Sequence, residues 1–353
     1  MKFADLIDGR QNNLNLMRLI AASAVALSHS YNFTGQLPSE PLFKLTGNVT
    51  LGFLSVFIFF VISGLLVAQS FNRSKSVVGF FAARALRLYP ALIIVLLLSA
   101  FVLGPFYTTL NPTDYLVRDE VRRYVEDNLL FKLNQGLPGV FSEAGGFSMS
   151  VNGSIWTLRY EVYAYLLLLL VGVSGLVSNR SAFNALMIAC LLLYAKEPIG
   201  MLLIPGDWNA VMYVPLMGFI FGTLVYVNRD HIDCKISYAV ICLLVYYYFR
   251  QHGWIHFIFA ITLGYVVLTT GFHRYLQLHL PLPNDYSYGI YLYAFPVQQA
   301  IVHSMPVQSP LLLFAITMLI TVPLAVVSWH LVEKPALKFK KIFNPHTQPH
   351  RES

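Results

Sequence analysis

Long apolar stretches separated by short polar connections dominate the chain. A helix needs about 20 apolar residues to cross roughly 30 Å of hydrocarbon. Ten stretches approach that length: 14–33, 49–71, 88–106, 155–177, 181–196, 209–227, 235–250, 254–272, 286–304 and 309–332. The pattern predicts an all-α, polytopic membrane protein with about ten transmembrane helices in a single domain over 1–353. Between the third and fourth stretches, 107–153 is the one long connection. Within it, Asp114 to Phe131 alternates charge with Val117, Val121, Tyr124, Val125 and Leu129, an amphipathic helix suited to lying on the outer surface. Gly136 to Ser154 is rich in Gly and Ser and reads as a loop over the outer mouth. Asn152-Gly153-Ser154 matches a glycosylation sequon. It reads more plainly as a turn, with Ser154 capping the next helix.

Composition agrees with the pattern. Of 353 residues 56% are hydrophobic and 12% charged, against about 25% charged in soluble domains, and the mean hydropathy is +0.60. The net charge is +7. Its placement argues for topology and against nucleic acid. Cytoplasmic loops are enriched in Lys and Arg. With the N-terminus inside, Arg73, Lys75, Arg84, Arg87, Arg180, Arg229 and Arg274 fall on the inner side, while the short outer loops keep Lys44, Lys196 and Arg250. Both termini are then cytoplasmic, and the basic tail 333–353 faces anionic membrane lipid. Cys190, Cys234 and Cys242 lie in or beside apolar stretches with no paired spacing, so disulfides and Cys-based metal sites are not expected. Residues 1–13 are polar, and the run after them carries an arginine and no small-residue cleavage site. It reads as a retained first helix.

Several polar residues interrupt the apolar pattern. In LNLMRLIAASAVALSHSYNF, Arg18 and His29 are eleven residues apart, which places them within roughly 20° of one another and about 16 Å apart along a helix. Ala22, Val25 and Ala26 line the face between them. A lined passage is one reading; Arg18 snorkelling to one interface with His29 at the other is the second. Glu161, in SIWTLRYEVYAYLLLLL, is the one acidic residue well inside a span, where an ionised group costs about 3 kcal/mol on insertion scales. Thr157 and Tyr165 share its face. It sits about 10 Å from the outer end of its helix, at a depth similar to His29. A carboxylate at that level can orient an imidazole as in general-base pairs; a structural ion pair with Arg159 or Arg18 is the alternative. Arg84 and Arg87 are i, i+3 neighbours before Pro90, which suits the first turn of the following helix. Two such guanidinium groups can grip phosphates, although topology alone supplies arginines there. Ser63-Gly64 reads as helix packing. Tyr288 and Tyr291 could face a sugar, or be ordinary interfacial aromatics. Glu333 to Pro335 reads as structural. The remaining histidines show no metal-ligand spacing, so no metal is expected.

In order along the chain, these stretches resemble the integral-membrane acyltransferase 3 family. Arg18 and His29 match its arginine–histidine spacing, FFVISG its second-span signature and Arg84-x-x-Arg87 its paired arginines. WTLRYE, with Trp156, matches its Trp-Thr/Ser-Leu-x-x-Glu block, and SYGIYLY, with Tyr288 and Tyr291, its late Ser-Tyr segment. The resemblance implies transfer of a short acyl group, usually acetyl from acetyl-CoA, to a hydroxyl of a carbohydrate or lipid-linked glycan at the bacterial inner membrane. No permanently bound cofactor is implied. Some members carry a further hydrolase-like domain, which is not expected here. Many have His before the aromatic-Pro pair of the ninth span, where this chain has Ala294-Phe295-Pro296.

In the chemistry expected from these residues, acyl-CoA binds from the cytoplasm with its phosphates on Arg84 and Arg87 and an inner part of the donor near Arg18. His29 is the catalytic base, assisted by Glu161, and Trp156, Tyr288 and Tyr291 face the acceptor. Direct transfer and a route through an acyl-histidine both fit these residues. A transporter or flippase of an envelope glycan, using the buried charges as a pathway, is the rival reading. A polysaccharide-assembly scaffold is a third, and it leaves Glu161 unexplained.

Overall fold

The computed structural model describes residues 1–7, 9, 12–74, 76–142, 149–176, 179–196, 210–250, 255–276 and 284–343. Arg10, Lys75, the centre of the Gly-rich loop at 143–148, residue 177, the stretch starts expected at 209 and 254, and the tail beyond 343 lie outside the described residues. The main helices are α1 (Leu14–Phe33), α2 (Leu51–Arg73) and α3 (Val77–Leu98), then α4 (Asp119–Leu129), α5 (Trp156–Val173) and α6 (Arg180–Lys196). They continue with α7 (Ala210–Val227), α8 (Ile236–Phe249), α9 (Ile255–Phe272), α10 (Ser287–Ser304) and α11 (Pro310–Ser328). Among the described residues there is no strand, only isolated bridges.

Each of the ten apolar stretches carries a helix. Four segments are long and apolar enough to cross a membrane by length and composition: Leu51–Arg73, Val77–Tyr107, Gly153–Val173 and Pro310–Phe343. Leu170, Leu244, Leu319 and Leu331 stand largely exposed on their helices, as side chains facing lipid must. Helices α1 and α10 are absent from the four because Arg18, His29, Gln298 and Gln299 dilute their apolar character.

The chain divides into two units: 1–21, 53–73 and 160–283; and 22–52, 74–159 and 284–353. In the first unit α2 and α7 meet through glycines. A Cβ on Gly64 would lie 2.1 Å from the Phe219 carbonyl oxygen, and one on Gly222 would lie 2.1 Å from that of Val61. Only glycine permits such approach, so Ser63-Gly64 does serve packing. The N-terminal residues close onto the loop after α7: Phe3 N donates to Ile232 O at 3.1 Å and Cys234 N to Met1 O at 2.9 Å. Lys2 pairs with Asp233 at 2.9 Å, and hydrogen bonds from Lys2 and Lys235 hold the Asp233 carboxyl down at about 2.

In the second unit α10 is buried nearly all round and packs on α11 and α3. Two expectations are corrected here. Pro90 does not begin a helix; it lies inside α3, which starts at Val77, before the arginines. The amphipathic segment is not one helix from Asp114. Asn111 caps a short turn, Pro112–Leu116, and the extended backbone of Arg118 separates it from α4. Val117 falls in that break and is 83% exposed. Val121, Tyr124 and Asn128 form the buried face of α4, which docks on α3.

Candidate active site

His29 occupies the last turn and a half of α1, and its neighbours fix that part of the helix. Glu40, fully buried, caps the short helix Pro41–Thr46. Its Oε2 accepts from Phe43 N at 2.9 Å, and its Oε1 from Leu51 N at 2.6 Å and the Ser28 hydroxyl at 2.8 Å. On the other flank, Gln298 of α10 donates to Ala26 O and to Ser30 Oγ, both at 2.7 Å. Phe295 meets the imidazole edge-on, with ring centres 5.2 Å apart. One carboxylate and one amide therefore set the rotation and height of the half-buried His29.

Phe295 is held by a defect in its own helix. Pro296, inside α10, has no N–H to give the Leu292 carbonyl four residues earlier. The Asn152 amide fills that vacancy at 2.9 Å, and an added Cβ on neighbouring Gly153 would come within 2.6 Å of the Phe295 ring. Asn152 also accepts from Ser154 N. Asn152 is therefore the cap where Ser154 was expected. At 1% exposure its side chain cannot serve as the sequon's acceptor. Gln299 adds a further tie, donating to Ser150 O at 2.6 Å.

The tyrosines of α10 are buried rather than open to a cleft. Tyr291 OH donates to Ser154 O at 2.7 Å and lies 2.7 Å from Thr157 Oγ1. Tyr288 OH donates to Leu88 O at 2.9 Å. Both hydroxyls join helices, which favours the ordinary aromatic role over a sugar stripe. Trp156, half-buried at the start of α5, borders a crevice with Leu92, Phe131 and Leu133.

Arg87 is the centre of an ion cluster. It meets Asp285 at 2.5 Å and Glu333 at 3.6 Å, and lies against the rings of Tyr288 and Trp329. Glu333, 2% exposed, also accepts from Ser328 Oγ at 3.2 Å. Two carboxylates thus face the Arg87 guanidinium. Arg84 is one turn earlier on the same helix, half-buried.

Arg18 and Glu161 belong to the other unit. Arg18 lies 6.0 Å from the centre of the Phe59 ring. Glu161 Oε1 accepts from Ser63 Oγ at 3.4 Å and from Tyr165 OH. Among the described residues its partners are hydroxyls, not the Arg159 or Arg18 guanidinium; Arg159 Nε donates to Phe131 O at 3.0 Å.

The family described as an acyltransferase domain matches residues 11–330, which include Arg18, His29, Arg84, Arg87, Trp156, Glu161, Tyr288 and Tyr291. The chain belongs to this acyltransferase family. It is 30% identical over 338 residues to a protein of Shigella phage Sf6 named O-acetyl transferase, covering 92% of this chain and 96% of that one. It is 26% identical over 366 residues to Nodulation protein 10 of Rhizobium leguminosarum bv. viciae, covering 94% and 95%. No solved structure matches it.

For a membrane acyltransferase, the residues that sequence reasoning missed are those that hold the histidine. Glu40 stands in the polar link between two spans, where hydropathy reads only a loop. The available signal was an acid directly before Pro41, a helix-start pattern. Gln298 and Gln299 were visible as amides within an apolar helix, and Asp285 as the acid opening the DYSYG segment.

Proposed function

We propose that this chain is a multi-pass bacterial inner-membrane O-acyltransferase that moves an acetyl or similar short acyl group from acyl-CoA to a hydroxyl of an envelope or exported glycan. The carrying observation is the acyltransferase family match over residues 11–330, joined to a relative named O-acetyl transferase over nearly its whole length. In this reading all ten helical stretches cross the membrane and both termini are cytoplasmic. Support comes from the first unit, where the N-terminus meets the loop between α7 and α8 and Asn13 donates to Thr270 O and Leu276 O at the end of α9. Alternating crossings put all of these on one side.

His29 takes the proton of the acceptor hydroxyl as its oxygen attacks the thioester carbonyl. The carbon–sulfur bond breaks, and the coenzyme thiolate leaves with the proton that the imidazolium returns. An ester of the acceptor and free coenzyme A result. General-base assistance is worth about 10²–10⁴-fold in rate. Arg84 is assigned to the donor phosphate, and Arg87, held between Asp285 and Glu333, to the frame of α3 and α10 around it.

Purified protein in vesicles, given acetyl-labelled acetyl-CoA and a glycan acceptor, should form labelled ester and free thiol together. Movement of glycan across the vesicle without thiol release would identify a carrier instead. Arg84→Ala should raise the KM for acyl-CoA with little change in kcat, and an unchanged KM would reject that assignment.

A further inference from the structure

The first unit contains a cavity of about 270 Å³ that the proposed acyl transfer does not use. Its walls come from the C-terminal ends of α2 and α7, the N-terminal end of α6, and α5. Phe71 and Leu168 form an apolar side, and Asn72, Thr223, Arg180 and Arg229 a polar one. Arginines at helix ends are what topology supplies, and both arginines here do cap α7. Arg180 Nη2 donates to Val227 O at 2.9 Å, and Arg229 Nη1 to Tyr226 O at 2.9 Å.

The two then differ. Arg180 also pairs with Asp230 at 3.2 Å. Arg229 lies on the Tyr226 ring, 4.4 Å from its centre, and among the described residues no carboxylate pairs with it. A guanidinium has five N–H donors in a planar fork suited to phosphate oxygens. Here one such fork is pre-set by a ring and a carbonyl, and it borders a cavity whose charged lining is net positive: two arginines against Asp230. Ligand pockets run from about 300 to 1,000 Å³. This one is too small for a whole coenzyme but takes a phosphate and the group bonded to it, and its apolar wall suits a hydrocarbon attached to that group.

We propose that this cavity is a phosphate-binding site, in which Arg229, supported by Arg180 and Asn72, holds the phosphate of a lipid headgroup or of a soluble phosphorylated molecule. The inference does not depend on the role given to His29.

Thermal unfolding of the detergent-solubilised full chain tests it, since a ligand that binds the folded state raises the midpoint with its concentration. Phosphatidylglycerol, phosphatidylcholine and pyrophosphate are titrated separately. A rise with phosphatidylglycerol well beyond that with phosphatidylcholine assigns a lipid headgroup; a rise with pyrophosphate assigns a soluble phosphate. Arg229→Gln, which removes the fork, and Ala68→Leu, which fills the cavity from α2, should each weaken the effective probe about tenfold. Ala68→Leu keeps the test open if the arginine variant folds poorly. No rise with any probe, equal rises with both lipids and none with pyrophosphate, or rises unchanged in both variants would overturn the proposal.

Discussion

The Ser28 hydroxyl donates to Glu40 Oε1 at 2.8 Å, one residue before His29. The same carboxylate receives the backbone N–H of Phe43 and of Leu51, so it joins α1 to the first turns of two helices. A negative charge is favoured at both of those N-terminal ends. Glu40→Ala would leave one buried and two part-buried donors without this acceptor, at about 1–3 kcal/mol for a donor left buried and unmet. The variant should lose roughly 3 kcal/mol or more, read as a lower thermal midpoint, with acyl transfer reduced because α1 can rotate. Glu40→Gln keeps the shape but sets an NH₂ against one donor, and should fall between. Wild-type stability in Glu40→Ala would contradict this account.

Arg87 is set between Asp285 and Glu333, and all three side chains are largely buried. Removing one member of a buried cluster leaves uncompensated charge, typically costing about 3–5 kcal/mol. Arg87→Ala should therefore unfold at markedly lower temperature, and Arg87→Lys, which keeps the charge but not the fork, should lose less. If instead Arg87→Ala melts like wild type and only donor affinity falls, Arg87 belongs to the donor site and not to the frame.

Gly64 and Gly222 set the distance between α2 and α7 from opposite sides. A methyl group at either would meet a backbone carbonyl oxygen, which cannot rotate away. Gly64→Ala and Gly222→Ala should each destabilise the protein by about 1–3 kcal/mol or more, measurable by thermal unfolding. Gly175, with nothing near its Cβ direction but a positive φ of 79°, should lose less on the same change.

Gly153→Ala probes the contact of Phe295 with His29. The added methyl group would press on the ring, which packs edge-on against the imidazole and against Phe33. The expected result is a fall in kcat of about tenfold or more with the KM for acyl-CoA near its wild-type value. A wild-type kcat would mean that the ring does not position the histidine.

Much of this architecture could be read from hydropathy. The apolar stretches became helices because burial and lipid both reward unbroken apolar runs, and the Arg18–His29 spacing needed only the helical period. What escaped lay where one residue answers a distant one. Pro296 was readable, but that Asn152 would supply its missing donor was not. Pro90 suggested a helix start because its neighbours were treated as loop, yet α3 runs through it. The arginine pair was legible as cationic, while the acids that face Arg87 come from residues about 200 and 250 positions away in sequence. Tyr288 and Tyr291 were legible as a stripe on one helical face, but not that their hydroxyls reach Leu88 and Ser154.

The base assigned to residue 29 is tested most directly by His29→Ala, purified as folded protein and supplied with acetyl-CoA and acceptor at saturation. Ester formation should fall at least 10²-fold while the thermal midpoint stays near that of wild type, because Glu40 and Gln298 hold α1 through Ser28, Ala26 and Ser30 and not through the imidazole. Transfer at the wild-type rate in that variant would contradict the account.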